Sequence, residues 1–171
     1  MRQLKSFIAF VLFYGFGYFT VAGQINSDII REFLRSSRMN SYDLNSVTRV
    51  RQFYEARQFR PAWVDNPAAF TQLLLVVNGS ADYFLNAIDY QPELIRSLRE
   101  NAWPFNREDS LQTEVRLTDG AIHFFSDIAY GNTVPEISYN GVAYDPNCLN
   151  IPELLADAIV RGTLASLPAL M

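Results

Sequence analysis

The feature that most constrains the fold is a stripe of mostly apolar residues between positions 109 and 130. Its members recur at every third or fourth position: Val115, Thr118, Ile122, Phe125 and Ala129. That spacing places them on one face of an α-helix, and such a face is buried against other elements. Gly131 follows the stripe, and glycine readily adopts the left-handed conformation that ends a helix. We therefore predict a long helix from about Asp109 or Ser110 to Tyr130.

Cap and stop residues divide the rest of the chain into shorter helices. Asparagine and serine side chains accept backbone N–H groups at helix starts, and proline suits the first turn. The predicted starts are Asn26-Ser27, Asn45-Ser46, Asn66-Pro67, Pro92 and Asn150-Ile151-Pro152. The predicted ends are Arg60-Pro61, Asn78-Gly79, about Glu100 and about Arg161. Alternating apolar residues between 137 and 144 flank Asn140-Gly141, a strong hairpin signal. The predicted fold is mainly α, a small helical bundle with one short β-hairpin near residues 137–144.

The first 23 residues have the pattern of a secretory signal peptide. Arg2 and Lys5 precede an apolar run over residues 7–22, and small residues close it at 21–23. The alternative is an uncleaved membrane anchor, but the run of about 16 residues is shorter than the roughly 20 that span a bilayer. We predict cleavage, which leaves a single exported domain over residues 24–171. Membrane contact is then expected only if the segment stays uncleaved.

The charge balance argues against several classes of partner. The chain has 14 basic and 18 acidic residues, and removal of Arg2 and Lys5 leaves 12 basic against the same 18. Lys5 is the only lysine. A nucleic acid backbone requires clustered cations, and an anionic membrane surface attracts basic segments. We therefore expect neither as a partner.

Titratable and nucleophilic residues offer little chemistry. His123 is the only histidine and Cys148 the only cysteine, so no His/Cys metal cluster can form and no cofactor is expected. A Cys148–His123 dyad is one alternative, since catalytic partners need not be neighbours in sequence. The favoured interpretation places His123 at the edge of the helical stripe and Cys148 as a small buried residue after a turn. The carboxylate pairs Glu108-Asp109 and Glu153/Asp157 are interpreted as helix-start residues on solvated faces.

One segment, residues 53–65, combines four aromatic residues with two arginines. Tyrosine, tryptophan and arginine are typical of recognition surfaces, because they join large contact areas to directed hydrogen bonds. On that interpretation the candidate contact residues are Tyr54, Arg57, Arg60 and Trp63. The alternative, which we favour, is that Trp63 fills the bundle core while Arg57 pairs with an acidic neighbour.

The same segment carries a resemblance to a known family. The string Phe-Tyr-x-x-Arg-x-Phe-Arg-Pro-Ala-Trp-Val-Asp at 53–65 resembles the opening of the scaffold domain in large bacterial L,D-transpeptidases. Further matching motifs are Asp89-Tyr90, Leu117-Thr118-Asp119, residues 127–132, Pro135 and Tyr139-Asn140-Gly141. The resemblance covers about residues 28–165, although Ala87-Ile88 stands where the family tends to have glycine and leucine.

The resemblance implies a role in the cell envelope without chemistry of its own. In that family a separate catalytic domain carries the cysteine nucleophile in a Ser-His-Gly-Cys-x-Arg motif and cross-links peptidoglycan through a thioester. Cys148 lies between Asn147 and Leu149 and does not match that motif, so no catalytic residue is carried over. We therefore expect an exported, non-catalytic scaffold domain in the periplasm or cell envelope. Its expected partner is a separate transpeptidase catalytic domain or peptidoglycan.

Two alternatives remain open from the sequence. The first is a fragment of a split or truncated L,D-transpeptidase with no independent activity. The second is a hydrolase or transferase that uses Cys148.

Overall fold

The computed structural model describes residues 25–100, 106–132, 138–139, 142–143 and 149–171. The signal segment predicted over residues 1–23 and the candidate nucleophile Cys148 lie outside these ranges. Within them the protein is mainly α-helical, which confirms the helical part of the predicted fold class. The helices are α1 (Ser27–Arg35), α2 (Val47–Ala56), α3 (Pro67–Asn78), α4 (Pro92–Glu100), α5 (Arg107–Tyr130) and α6 (Ile151–Arg161). Short 3-10 helices cover Ser37–Ser41, Ser80–Tyr83, Ala87–Asp89 and Leu164–Leu170.

Asparagine side chains cap several of the helices, as the sequence predicts. Asn26 accepts hydrogen bonds from two backbone N–H groups at the start of α1, at 3.1 and 3.0 Å. Asn66 and Asn150 each accept one at the starts of α3 and α6. The central helix α5 begins at Arg107, before the predicted Asp109 or Ser110, because Asn106 supplies its cap.

The end of α2 differs from the prediction. Arg60-Pro61 was the expected stop, but the helix ends at Ala56. Gln58 and Phe59 then take left-handed conformations, with φ of 56° and 61°. Two consecutive left-handed residues reverse the chain before the proline is reached, and this brings residues 62–64 back against α5.

The core is built around α5. Helix α2 packs against both α5 and α6, α4 packs on α5, and α3 packs on the C-terminal 3-10 helix. Among the described residues, the largest fully buried side chains are Trp63, Tyr54, Tyr90, Phe53, Phe124 and Phe125. At Gly120 a Cβ atom would lie 2.8 Å from Cγ of Gln91, so the glycine lets the turn before α4 approach α5 closely.

The predicted hairpin region is described only in part. Strands β1 (Ser138–Tyr139) and β2 (Val142–Ala143) pair antiparallel, with Ser138 opposite Ala143 and Tyr139 opposite Val142. Residues 140 and 141, predicted to form the turn, lie outside the described ranges. A ladder of two residues a strand has no stability of its own and depends on the helices. Among the described helices, none combines the length and apolar character needed to cross a bilayer.

Candidate functional site

The aromatic segment 53–65 lies mainly inside the protein. Tyr54 and Trp63 have 0% and 1% of their surface exposed, and Arg57 is buried as well. Of the four candidate contact residues, Arg60 alone is exposed. Tyr54 and Trp63 cannot touch a partner in this fold, so their interpretation as contact residues is wrong. The tryptophan belongs to the core, as the alternative interpretation stated.

A fully buried carboxylate, Glu114 on α5, organises this segment. Its Oε1 atom accepts hydrogen bonds from the backbone N–H of Ala62 and from the Tyr54 hydroxyl. Its Oε2 atom accepts from the backbone N–H groups of Trp63 and Val64, both at 3.0 Å. One carboxylate thus satisfies three successive backbone donors in a loop that would otherwise lack partners. The loop after α2 is thereby attached to α5.

The threonine one turn along α5 completes the network. Thr118 Oγ1 accepts a hydrogen bond from Trp63 Nε1 at 2.9 Å and shares another with the Tyr54 hydroxyl at 2.8 Å. It also donates to the backbone carbonyl of Glu114 at 3.0 Å. Both polar groups of the two buried aromatic side chains are therefore satisfied inside the core.

Burial shifts the protonation equilibria of this network. Desolvation raises the pKa of Glu114, while the three backbone donors and the Tyr54 hydroxyl oppose that rise. Desolvation, followed by the nearby Glu114 carboxylate, also raises the pKa of Tyr54 well above its ordinary value. The Tyr54 hydroxyl therefore stays neutral, and able to donate, to a higher pH than an ordinary tyrosine.

Arg57 is held by backbone carbonyls and not by an acidic neighbour. Its guanidinium donates to the carbonyl of Pro61 at 2.7 Å, and more weakly to those of Arg60 and Ala156 at 3.3 and 3.5 Å. None of the ion pairs found among the described residues includes Arg57, so the predicted direct pairing with an acidic neighbour is not found there. Burial lowers the pKa of Arg57, and the Glu114 carboxylate counteracts that shift. The side chain joins the loop after α2 to α6.

A second buried carboxylate of α5, Asp119, fixes the other end of α2. Its Oδ2 atom accepts hydrogen bonds from the backbone N–H and side-chain amide of Asn45, both at 2.9 Å. Its Oδ1 atom accepts from the backbone N–H of Ser46 at 3.1 Å. Neither Glu114 nor Asp119 was among the residues predicted from the sequence. A carboxylate beside the apolar stripe of a helix predicted to be buried is the signal that could have identified both.

His123 lies on the edge of the α5 stripe, as its favoured interpretation stated. Its Nε2 atom is 3.4 Å from Oδ2 of Asp127, which accepts a hydrogen bond from the Tyr90 hydroxyl at 2.8 Å. The imidazole and the Tyr90 ring pack edge to face. Burial and the bond to Asp127 raise the pKa of Tyr90. Cys148 lies outside the described ranges, so the dyad has no described geometry.

The carboxylate pairs serve helix starts and exposed ion pairs. Glu108 binds the Arg38 guanidinium and accepts from the Tyr42 hydroxyl at 3.2 Å. Glu153 accepts from the Asn150 amide at 2.9 Å, and Asp157 binds Arg161 at 2.9 Å. Within the described ranges no three His, Cys, Asp or Glu residues come close enough to hold a metal ion.

The surface offers two depressions where α2 meets α6. The first, of about 520 Å³, lies at the start of both helices and is lined mainly by polar residues: Ser46, Thr48, Arg49, Gln52, Leu149, Asn150, Ile151 and Pro152. The second, of about 400 Å³, lies further along both helices and contains Arg60: Ala56, Arg57, Arg60, Pro61, Glu153, Ala156, Asp157 and Val160. Arg49, Gln52 and Ala56 follow one another at helical spacing, which places both depressions on one face of α2. We call this surface the α2–α6 seam.

Comparison with known proteins assigns the family. The family model described as Scaffold domain matches residues 48–170, a range that contains the aromatic segment, both buried carboxylates and all of the α2–α6 seam except Ser46. No curated protein and no solved structure matches the chain. This match confirms the resemblance to a scaffold domain that the sequence motifs indicate. Because the match covers most of the chain, the protein belongs to the scaffold domain family.

Proposed function

We propose that this protein is an exported, non-catalytic scaffold domain related to the L,D-transpeptidases, and that it binds peptidoglycan along the α2–α6 seam. Its family membership and the motifs at 53–65 and 114–152 support the relationship. The apolar segment at residues 7–22 supports export. The proposal places the protein in the periplasm or cell envelope.

The observation that carries the proposal is the alignment of two depressions on one face of α2, each with polar side chains in its lining. Peptidoglycan is an extended polymer of sugars and peptides, so it presents hydroxyl, amide and carboxylate groups at intervals along its length. The first depression offers the exposed hydroxyl and amide groups of Thr48 and Gln52, beside Arg49, whose guanidinium donates to the Ser126 hydroxyl at 2.9 Å. The second offers the exposed guanidinium of Arg60. The ten residues of α2 span about 15 Å, a separation that suits one extended strand in contact with both.

The structural role of the two buried carboxylates supports a binding function and not acid–base catalysis. A catalytic acid or base must reach a substrate, whereas Glu114 and Asp119 are enclosed and their oxygens are occupied by donors of the protein. Their role is to hold the two ends of α2 on α5. This arrangement fixes the helix that supplies one side of the seam.

The proposal is tested by co-sedimentation of the purified mature protein with isolated peptidoglycan. We expect the wild-type protein to sediment with the polymer. The double variant Thr48→Ala/Gln52→Ala and the single variant Arg60→Ala should each weaken binding several-fold, because all three side chains are exposed on the seam. Arg35→Ala on α1 is the matched arginine control, since Arg35 is exposed and lies outside the seam. It should bind like the wild type.

Three outcomes would contradict the proposed ligand or its proposed binding surface. Wild-type protein that stays in the supernatant contradicts peptidoglycan binding. Retention of a purified transpeptidase catalytic domain by the wild type, lost in Arg60→Ala, would assign the seam to that protein instead. Equal binding by the seam variants and Arg35→Ala would place the contact elsewhere on the surface.

A further inference from the structure

The turn between α3 and α4 displays a phenylalanine in an unusual setting. Phe84 has 96% of its surface exposed and a left-handed φ of 58°. Its neighbours Ser80 and Leu85 are buried, and backbone hydrogen bonds join Leu85 to Ser80 at 3.0 Å and Phe84 to Ala81 at 3.1 Å. The turn is therefore held on both sides while the ring extends into solvent. A bulky residue with positive φ is strained, and such strain concentrates where function requires it.

An apolar depression lies beside this turn. It has a volume of about 330 Å³ and is lined by residues of α3, α4 and the intervening turn: Val77, Asn78, Ala87, Ile88, Pro92, Ile95, Arg96 and Arg99. Ile88, which lines the depression, is 65% exposed, so the apolar lining extends onto the open surface of the turn that also carries Phe84. A cavity of about 150 Å³ is enough to bind benzene in other proteins, so this depression has room for a phenyl ring.

The charges around the two features are opposite. Asp82 and Asp89 are exposed on the turn that carries Phe84. Arg96 and Arg99 are exposed at the depression. Arg96 lies 3.4 Å from Glu93, but both side chains are largely solvent-exposed, and an ion pair of this kind contributes little and exchanges readily. An acidic turn with an aromatic tip thus complements an apolar depression with a basic rim.

We infer that the protein forms a two-fold dimer in which Phe84 of each copy occupies the depression between α3 and α4 of the other. A second copy is the occupant because one chain carries both the acidic turn with Phe84 and the apolar depression with its basic rim. In an isologous interface a residue of the first copy contacts a different residue of the second, and the reverse contact follows by symmetry. Two seams on one dimer would also let the protein bind a polymer at two points.

The first test measures self-association of the mature protein by sedimentation velocity over a concentration series. We expect a reversible monomer–dimer equilibrium in the wild type. Phe84→Ala should raise the dimer dissociation constant at least about tenfold, because a central aromatic anchor dominates such contacts. Leu170→Ala removes a similarly exposed apolar side chain elsewhere and should leave the equilibrium unchanged.

The second test uses charge reversal, which keeps the depression and Phe84 intact. Asp82→Arg/Asp89→Arg and Arg96→Glu/Arg99→Glu should each dissociate the dimer. An equimolar mixture of the two variants should form a heterodimer, since each contact again joins opposite charges. A monomeric wild type at every concentration, an unaffected Phe84→Ala dimer, or mixed variants that stay apart would each overturn the inference. Phe84-dependent binding of a monomer to uncharged lipid vesicles would overturn it in favour of a membrane.

Discussion

At the scale of single residues, Glu114 determines how the loop after α2 is held. Three backbone N–H groups and one tyrosine hydroxyl converge on its carboxylate. A neutral amide at this position would present N–H groups to at least one pair of these donors. Since a buried donor left without an acceptor costs about 1–3 kcal/mol, we attribute a large share of the local stability to this one side chain.

The raised pKa of Glu114 predicts a pH dependence of stability. Below the ordinary pKa of 4.5, both the folded and unfolded states carry the proton and the full stabilisation is present. As the pH rises further, the unfolded state loses the proton first, because the folded pKa is higher. The free energy of unfolding should therefore fall, by at most about 1.4 kcal/mol for each pH unit, until the folded pKa is passed.

Urea denaturation of the wild type at a series of pH values measures this effect. Glu114→Gln should be less stable and should lack this component of the pH dependence. Glu55→Gln, at an exposed position on α2, should retain it. A wild type whose free energy of unfolding increases steadily through the same pH range would contradict the assignment to Glu114.

At the scale of the helices, the sequence predicted the caps at helix starts correctly, but it did not predict the hydrogen bonds between residues far apart in the chain. Asn26, Asn66 and Asn150 cap their helices through donors two or three residues away, so the sequence predicts them directly. The donors to Glu114 lie about 50 residues earlier in the chain, and those to Asp119 more than 70. Such pairings depend on the packing of α2 against α5, which no local pattern specifies. The early end of α2 has the same origin, because the backbone of residues 62–64 must reach Glu114.

Asp119 provides the test at this scale. Asp119→Ala removes an acceptor used by two backbone N–H groups at the start of α2, so we expect a loss of about 2 kcal/mol in the free energy of unfolding. Amide hydrogen exchange should speed up first in the N-terminal turn of α2. Asp43→Ala, an exposed aspartate close by, is the control and should change neither quantity. Equal stability of the two variants would show that Asp119 does not hold the helix.

At the scale of the whole molecule, the sequence predicted the architecture better than the contact surface. The helical stripe of α5 and the asparagine caps were sufficient for a mainly α fold. Four residues of segment 53–65 were candidates for contact, yet Tyr54 and Trp63 are core residues and Arg57 is buried. The same large side chains that suit an interface also suit a core, and only their burial distinguishes the two uses. Arg60 remains on the surface, at one end of the α2–α6 seam.

The function that we propose requires the protein to act through contacts and to form no covalent intermediate. The most direct test is the intact mass of the secreted protein after incubation with a carbapenem, which acylates the nucleophilic cysteine of L,D-transpeptidases. We predict the mass of residues 24–171 with nothing added. A wild-type mass increased by one carbapenem would contradict this prediction. If the Cys148→Ala variant then kept its own calculated mass after the same incubation, Cys148 would be identified as the nucleophile.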